Sequence, residues 1–461
     1  MEKAKLYDCV DRNADALRQM ALDIWGYAET AMQEHRSARR QKEFMRDAGF
    51  TIREVAGVET GFVAEYGAGS PIIGILGEYD ALPALSQMAG ECSQNPCPDM
   101  ADGHGCGHNL LGTAGVGAVL AVAQMLRQEG CSGTIRYYGC PAEETLTGKP
   151  LMARTGVFDD LDLAFSWHPG LMNVVCQFDS LAMNSIKFRF KGVSAHAAVC
   201  PHLGRSALDA VELMNVGANY LREHIIDQAR LHYCITNGGR VPNAVPDFAE
   251  VWYYIRAPKR SQVREITQRL YKVAEGAAMM TETTVSHELL AGCYDVLLSH
   301  EINRVLYENL SALKGPAFTE EDRRFADAFV EHIPQDVRRD VMLGNFAPEF
   351  TLDGRTLVDD VFPVDDEGKL MPGSFDSGDV SYITPYSFFW GTTFPVGAGE
   401  HTWEYTSCAG DALGIHGMLY AAKALAGTAF DLFHDPDAVA RAKEELLCKT
   451  KGEKYRSPYD E

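Results

Sequence analysis

The order of two kinds of hydrophobic pattern constrains the fold of this chain more than any other feature. In the first half, short apolar runs typical of strands alternate with stretches of helical pattern. The runs are Ile72 to Leu76, Thr134 to Tyr138 and Leu163 to Trp167, and a helix is predicted over Gly112 to Arg127. Because such alternation is typical of strands connected through helices, we predict an α/β fold.

A different pattern begins at Ser185. An alternating strand around Phe188 is followed by a predicted helix over Arg205 to His224, a strand over Val251 to Ile255 and a helix over Gln262 to Thr281. A self-contained β-α-β-α segment of this kind is typical of an inserted domain. A chain of 461 residues also exceeds the usual size of one hydrophobic core. We predict a first domain over residues 1–184 that resumes over 298–461, with an inserted domain at 185–297.

Four further regions have weaker patterns. Met1 to Gly49 is predicted to form an amphipathic helix. Phe318 to Lys369 is rich in Asp, Glu and Pro and is interpreted as a surface excursion with one helix, Glu320 to His332. An alternating region, 381–396, precedes a predicted C-terminal helix over 412–425.

Charge and composition exclude several classes of partner. A formal net charge of -22 disfavours binding to nucleic acid or to an anionic membrane, because both require a basic surface. A carboxylate substrate would need a local Arg or Lys for the same reason. The sequence has no uninterrupted apolar stretch of the roughly 18 to 20 residues that a membrane span requires. The 12 cysteines are scattered, which favours reduced thiols and a cytoplasmic location.

Side chains of the types that bind metals lie in four short segments. Each follows a predicted strand or lies in a glycine-rich turn, and the segments are 103–109 (GHGCGHN), 141–144 (PAEE), 166–169 (SWHP) and 399–401 (GEH). In α/β folds, ligands gather at the carboxyl ends of strands. The placement therefore favours a single site.

Cys106 and His108 are separated by one glycine, so thiolate and imidazole can approach one point. Sulfur with imidazole favours zinc or a related transition metal. A glycine turn that buries a thiol is the alternative.

Glu143 and Glu144 follow a predicted strand and a proline. Outside a helix, successive side chains point in different directions, so one carboxylate can bind a metal while the other faces an activated water. A solvated acidic pair is the alternative, and His168 alone is equally compatible with a buried core histidine. Together, one thiolate, three imidazoles, one carboxylate and a second glutamate are about what two metal ions sharing a water require.

Five longer segments resemble the aminoacylase/carboxypeptidase family of co-catalytic metallohydrolases and occur in the family's order. They are GEYDALP (77–83), GHGCGHN (103–109), CPAEE (140–144), GVSAHAAVCP (192–201) and VPNAVPD (241–247). The resemblance implies a zinc-peptidase-like mixed sheet flanked by helices. It also implies that the inserted domain is an α+β, ferredoxin-like lid and dimerisation domain.

The resemblance also implies roles for single residues. Glu143 is the general base, Asp80 orients a metal ligand, and the ligands are Cys106, His108, Glu144, His168 and His401. Many relatives have a metal-binding histidine where this sequence has Glu78. This departure leaves the identity of the metal open.

Three residues of the inserted domain are implied to contact the substrate. His196 matches a family histidine that reaches the active site of a partner subunit and stabilises the oxyanion. Asn243 is a candidate to help stabilise the oxyanion, and Arg256 is a candidate to bind the substrate carboxylate. The alternatives are a lone surface histidine for His196 and an internal ion pair for Arg256.

The residue types and the resemblance together imply metal-dependent hydrolysis of the amide bond of an N-acyl amino acid, and the resemblance implies p-aminobenzoyl-glutamate or a related aromatic conjugate as the substrate. Two divalent ions per subunit, Zn or Mn, and a homodimer or a pair with a paralogous subunit are expected. Dipeptidase, carboxypeptidase or hydrolytic deaminase activity remains an alternative. So do a non-catalytic metal-binding protein and a cysteine hydrolase that uses Cys106 with His108.

Overall fold

A computed structural model of the chain describes residues 2–130, 132–345, 354–363 and 368–461. The chain divides into two compact units. The first consists of Met1–Phe178, Leu297–Lys369 and Val380–Tyr455, and the second of Asp179–Val296, Leu370–Asp379 and Arg456–Glu461. The second unit thus takes in two short later segments that carry no pattern of their own in the sequence. Residues 346–353 and 364–367 of the predicted surface excursion lie outside the described residues.

Among the described residues of the first unit, eight strands form one mixed sheet in the order β1-β2-β4-β3-β5-β12-β6-β11. The strands are β1 (Thr51–Val55), β2 (Val58–Ala68), β3 (Ile72–Glu78), β4 (Gly133–Cys140), β5 (Leu163–Gly170), β6 (Asn173–Val175), β11 (Val361–Phe362) and β12 (Tyr386–Thr392). The four central strands, β4, β3, β5 and β12, run parallel to one another. The predicted α/β class with a mixed sheet is confirmed.

Two features of the sheet differ in detail from the sequence patterns. The predicted strands correspond to β3, β4 and β5 but extend to residues 78, 140 and 170. The carboxyl ends of β4 and β5 therefore reach two of the segments with candidate metal ligands, 141–144 and 166–169. Region 381–396 was expected to alternate, yet every residue of β12 is buried. A strand buried on both faces has no polar side, which is typical of a central parallel strand.

Helices pack around this sheet. They are α1 (Lys3–Arg12), α2 (Ala14–Tyr27), α3 (His35–Asp47), α4 (His108–Glu129), α5 (Gly148–Arg154), α8 (His300–Leu313), α9 (Glu320–Val330), α10 (Gln335–Gly344), α12 (Trp403–Ala409), α13 (Ala412–His434) and α14 (Pro436–Thr450). The short helix α11 (Ser377–Ser381) begins in the second unit and ends in the first. Helix α10 was not predicted, and α13 is longer than the predicted helix over 412–425.

Helix α4 is the central helix of the first unit. It packs on strands β3 and β4 and against helix α13. A Cβ atom at Gly112 would lie 2.4 Å from the carbonyl oxygen of Glu78, so only glycine permits this close approach. Of the helices in the described ranges, α4 is long and apolar enough to cross a membrane, but 89% of its apolar window is buried inside the fold. Helix α4 is therefore buried in the manner of a core helix.

The prediction of one amphipathic helix over Met1 to Gly49 is wrong, because the segment forms three helices. The amide of Asn13 donates to the carbonyl of Cys9 at 2.8 Å, which ends α1 by competing for its last backbone acceptors. Ala28 adopts a left-handed conformation (φ 43°) at the end of α2. Helices α1 and α2 bury apolar residues, whereas α3 buries Ala38 and Met45 together with Ser37 and Gln41. Each helix has one buried face, which explains the amphipathic pattern of the whole segment.

The second unit has the order β7 (Ala182–Lys191), α6 (Ala207–Leu221), β8 (Arg230–Asn237), β9 (Phe248–Ala257), α7 (Arg260–Thr281) and β10 (Thr284–Cys293). Its antiparallel sheet has the order β10-β7-β9-β8, with α6 and α7 packed on it. This β-α-β-β-α-β order is ferredoxin-like and confirms the expected α+β domain. The β-α-β-α pattern read from the sequence omitted β8 and β10, whose residues are mostly exposed or half-buried.

Candidate metal centre

The glycine-rich loop before helix α4 presents a thiol and an imidazole at one point. Gly107 adopts a left-handed conformation (φ 77°) as the residue preceding α4, and His108 is the first residue of the helix. A Cβ atom at Gly107 would lie 3.0 Å from Pro169, so the loop also passes close to the end of β5. The turn brings the Cys106 Sγ to 3.3 Å from Nε2 of His168.

Two of the predicted histidine ligands have their Nδ1 atoms occupied by protein acceptors. Nδ1 of His108 lies 2.8 Å from Oδ1 of Asp80, and Nδ1 of His168 lies 2.7 Å from the carbonyl oxygen of Pro169. Each Nδ1 therefore donates its hydrogen, which leaves the Nε2 lone pair available to a metal ion. His108 Nε2 is buried and has no hydrogen-bond partner within the described ranges.

The adjacent glutamates Glu143 and Glu144 contribute to different groups of candidate ligand atoms. They follow β4 through Ala142, whose left-handed conformation (φ 55°) turns the chain sharply. The carboxylate of Glu144 lies in a group with Cys106 and His401, and that of Glu143 lies in a group with His108. The two carboxylates therefore belong to different groups of candidate ligand atoms.

His401 lies in the loop between β12 and α12. Its backbone N–H donates to the carbonyl of Gly105 at 2.9 Å, which ties this loop to the glycine-rich loop. Its Nε2 lies 3.4 Å from Oε2 of Glu144. The side chain of His401 is about half-exposed, so this part of the cluster is open to solvent.

The five predicted ligands thus lie together in the first unit. Their donor atoms form two overlapping groups, each spanning no more than 4.8 Å: Cys106, His108 and His168, and Cys106, Glu144 and His401. Besides His108 Nε2, Oε1 of Glu144 is buried without a hydrogen-bond partner in the described part of the chain. Because unpaired buried acceptors are costly, a cation fits this cluster.

The electrostatics of the cluster favour positive charge. Burial raises the pKa of Glu144 to about 8 and the pKa of Cys106 well above its ordinary value. The charges of the protein alone therefore do not offset the cost of burying the carboxylate and the thiolate. Burial would lower the pKa of His108, but Cys106 and Asp80 hold that pKa well above its usual range. Burial and His108 lower the pKa of His168 to about 4, which keeps this imidazole neutral, as a metal ligand must be.

Two residues at the centre were not assigned a role from the sequence. Oε2 of Glu78, the last residue of β3, lies 3.3 Å from Nε2 of His108. Its other oxygen is 2.5 Å from Nζ of Lys149, a lysine that is 0% exposed. Burial raises the pKa of Glu78, but Lys149 and His108 outweigh this effect and lower it.

Glu34 is a third residue that was not assigned a role from the sequence, and it contacts the loop that carries Glu143 and Glu144. Glu34 is 0% exposed and accepts the backbone N–H of Ala142 at 2.9 Å. It also accepts the hydroxyl of Thr60 at 2.9 Å. Burial, and next the charge of Asp80, raises the pKa of Glu34 to about 7. A single glutamate in a hydrophilic segment carries no signal of such burial.

His196 and Asn243 lie on adjacent segments of the second unit. The two segments form an isolated antiparallel bridge between His196 and Ala244, and Ala197 N–H donates to the carbonyl of Asn243 at 3.0 Å. Nδ1 of His196 accepts the backbone N–H groups of Ala198 and Val199 at 3.3 and 3.2 Å. The neutral ring therefore carries its hydrogen on Nε2, and the side chain is exposed.

Arg256 lies on β9, on the face of the sheet that points away from the buried core of the unit. Its guanidinium lies 5.8 Å from the ring centroid of Tyr254, and NH1 donates to the carbonyl of Pro372 at 3.5 Å. Across the described ranges, no carboxylate forms an ion pair with Arg256, and its Nε has no hydrogen-bond partner. The alternative of an internal ion pair is not what the structure contains.

The sheet and this cluster of candidate metal ligands are those expected of a metal-dependent hydrolase. Residues 182–279 match the family model of the peptidase dimerisation domain, M20_dimer. The chain is 40% identical to one of the subunits of p-aminobenzoyl-glutamate hydrolase from Escherichia coli, an alignment that covers 98% of this chain and 97% of that protein. The chain therefore belongs to the M20 family of metallopeptidases and amidohydrolases, and it is an enzyme that hydrolyses amide bonds.

Two further proteins are similar to this chain. The Xaa-Arg dipeptidase of Mus musculus is 29% identical over 98% of this chain and 93% of its own length. The structure of the Bacillus subtilis YXEP protein, a dinuclear metal-binding peptidase of the M20 family, is 18% identical, with a TM-score of 0.58 over 92% of this chain and 99% of that chain. The last comparison shows that the fold is shared.

Proposed function

We propose that the enzyme hydrolyses the amide bond of an aromatic N-acyl amino acid such as p-aminobenzoyl-glutamate. The observation that carries this proposal is the divergence of Glu143 and Glu144 into two neighbouring groups of ligand atoms. A storage site needs ligands alone, whereas a hydrolase also needs a base beside them. The 40% identity to the Escherichia coli p-aminobenzoyl-glutamate hydrolase chain supports the choice of substrate.

Cys106, His108, Glu144, His168 and His401 would hold two divalent ions, Zn or Mn. When bound, these ions supply Lewis acidity, which lowers the pKa of a water from 15.7 towards about 7. Thiolate and imidazole favour zinc, and the carboxylates also suit manganese. Asp80 holds His108 in the tautomer that presents Nε2.

Glu143 is proposed to take the proton from the attacking water and to pass it to the leaving amine. Because Glu144 is assigned to the metal, the two adjacent carboxylates divide the work of base and ligand. General acid–base catalysis of this kind contributes about 10²- to 10⁴-fold to the rate.

His196 is proposed to donate its Nε2 hydrogen to the oxyanion at the active site of a partner subunit. The two backbone N–H groups on Nδ1 fix the ring so that Nε2 is the donor. A donor already held in position costs no reorganisation in the transition state. Asn243, on the paired segment, is proposed to assist, and Arg256 is proposed to bind the substrate carboxylate.

We propose that the second unit mediates dimerisation, either with a second copy or with a paralogous subunit. Helix α6 exposes Leu213, Val216 and Tyr220, and edge strand β8 exposes Tyr233 and Ile235. Exposed apolar residues on a sheet edge and a nearby helix are typical of a protein interface. The Escherichia coli relative is named as one subunit of its enzyme, which supports a paralogous partner as the second possibility.

A cytoplasmic location is also proposed. The eleven cysteines in the described ranges are free thiols, and two of them, Cys234 and Cys448, are exposed. Free thiols are typical of a reducing compartment.

A dipeptidase that cleaves before a basic residue is the second candidate function. The net charge of -22 opposes an anionic substrate and attracts a cationic one. The similarity to the Xaa-Arg dipeptidase supports the same alternative.

A cysteine hydrolase is disfavoured by the raised pKa of Cys106. Without a bound cation or another positive charge, little thiolate would form to act as the nucleophile.

One assay separates these functions. Protein treated with a chelator and then reloaded with Zn²⁺ or Mn²⁺ is tested on p-aminobenzoyl-glutamate, other N-acyl glutamates and Xaa-Arg dipeptides. We expect activity to disappear on chelation, to return on reloading and to be highest on the aromatic glutamate conjugate. Highest activity on the Arg dipeptides would favour the second candidate. Activity that persists after both ions are removed would indicate a thiol enzyme.

A further inference from the structure

We propose that Glu78 is an additional metal ligand and that Lys149 holds its second oxygen, so that Glu78 offers a single oxygen to the ion on His108. The proposal rests on the proposed function only for the assignment of the metal centre. Glu78 ends β3, and Lys149 lies on helix α5. Both side chains are buried.

The contact between Glu78 and His108 places two potential ligand atoms side by side. Nδ1 of His108 is engaged by Asp80, so Nε2 is the ring nitrogen that faces Glu78. It lies 3.3 Å from Oε2 of Glu78. In the metal-free chain this contact is an ion pair, and a metal ion bound by both atoms would take the place of the proton on Nε2.

The spacing fits a shared metal ion. Ligand atoms bound at about 2.0–2.2 Å in a tetrahedral site lie about 3.4 Å apart. The donor atoms of Glu78, His108 and Glu143 lie within 4.8 Å of one another. The same histidine also belongs to the group with Cys106 and His168, so Glu78 extends that group on its buried side.

Lys149 sets how Glu78 can bind. Its Nζ is 2.5 Å from Oε1 of Glu78, and the side chain is 0% exposed. With Oε1 engaged by the ammonium group, Oε2 is the oxygen that faces His108. A buried ammonium group that loses its carboxylate partner is strongly unfavourable, so Glu78 has a structural role as well as the proposed metal role.

The competing explanation is that Glu78 and Lys149 form a buried ion pair with no metal role. Three proteins distinguish the two: wild type, Glu78→Gln and the double variant Glu78→Gln/Lys149→Met. For each, the melting temperature of the chelator-treated protein and the dissociation constants for Zn²⁺ are measured, the latter by competition with a chromogenic chelator.

We expect Glu78→Gln to lower the melting temperature of the metal-free protein and to weaken the binding of one Zn²⁺ at least 10-fold. The double variant should recover most of the melting temperature, because no buried charge is left unpaired, but its Zn²⁺ affinity should stay low. If Glu78→Gln does not fold, the double variant alone decides the question.

Wild-type affinity for both ions in the double variant would overturn the proposal and leave a structural ion pair. The proposed function fails differently. Wild-type protein that binds two ions through this centre but cleaves none of the tested amides would contradict the proposed hydrolysis, while the comparison of Zn²⁺ affinities would still test Glu78.

Discussion

Asp80 and His108 form a buried pair at the metal centre, with 2.8 Å between Oδ1 of the aspartate and Nδ1 of the histidine. The other oxygen of Asp80 accepts the backbone N–H of Glu144 at 2.9 Å. The carboxylate of Asp80 therefore orients the imidazole of His108 and anchors the loop that carries Glu144, the proposed ligand. The His108 contact lowers the pKa of Asp80 against the effect of burial, so the pair favours the ionised acid.

Asp80→Ala is expected to weaken metal binding by about 10- to 100-fold, the usual effect of losing a group that orients a ligand. Asp80→Asn should cost less, because its amide oxygen still accepts from Nδ1. Asp322→Asn is a matched control, since Asp322 is also buried and lies 2.8 Å from Nδ1 of His416. Equal losses of metal affinity in the Asp80 and Asp322 variants would show a general effect on folding.

Cys106→Ser is expected to lose most of the bound metal, because a serine hydroxyl is a poorer ligand than a thiolate. Cys408→Ser is the control, since Cys408 is likewise buried and has a raised pKa. Metal content by elemental analysis distinguishes them. A Cys106→Ser protein with full metal content and activity would mean that the thiol is only a packing residue.

Glu34 gives a prediction about pH. Its pKa in the folded chain is about 7, above the ordinary value of 4.5, so the folded state binds more protons than the unfolded state between these values. The contribution of Glu34 to stability should therefore fall as the pH rises from about 4.5 to about 7, by up to about 3 kcal/mol.

Glu34→Gln should remove this slope, because glutamine does not titrate. The free energy of unfolding of the metal-free protein, measured from pH 4.5 to 8, tests the prediction. The same decline in the wild type and the variant would assign it to other groups.

The proposed action of His196 at the active site of a partner subunit predicts that two inactive variants complement each other. His196→Ala and Glu143→Gln should each be nearly inactive as pure proteins. After subunit exchange, a mixed dimer has one site with both lesions and one with neither, so part of the wild-type activity should return. If exchange is verified by differently tagged subunits and no activity returns, His196 does not act across the interface.

The sequence was sufficient to predict those parts of the molecule that depend on residues close to one another in the chain. The cluster could be predicted because each of its residues lies in a short, recognisable segment. Cys106 and His108 lie among glycines, and Glu143 and Glu144 follow the end of a strand. Strand β8 was missed because seven of its eight residues are exposed, so it shows no alternation. Glu34 and Lys149 were missed because each is a single charged residue, and their burial depends on contacts with distant segments.

The central claim, that a metal ligand and a base lie side by side, is tested by measuring metal content and hydrolysis rate together in Glu143→Gln and Glu144→Gln. Glu143→Gln should keep both metal ions while its rate on p-aminobenzoyl-glutamate falls about 10²-fold or more. Glu144→Gln should lose metal. Loss of metal from Glu143→Gln, with full retention in Glu144→Gln, would contradict the account and reverse the two roles.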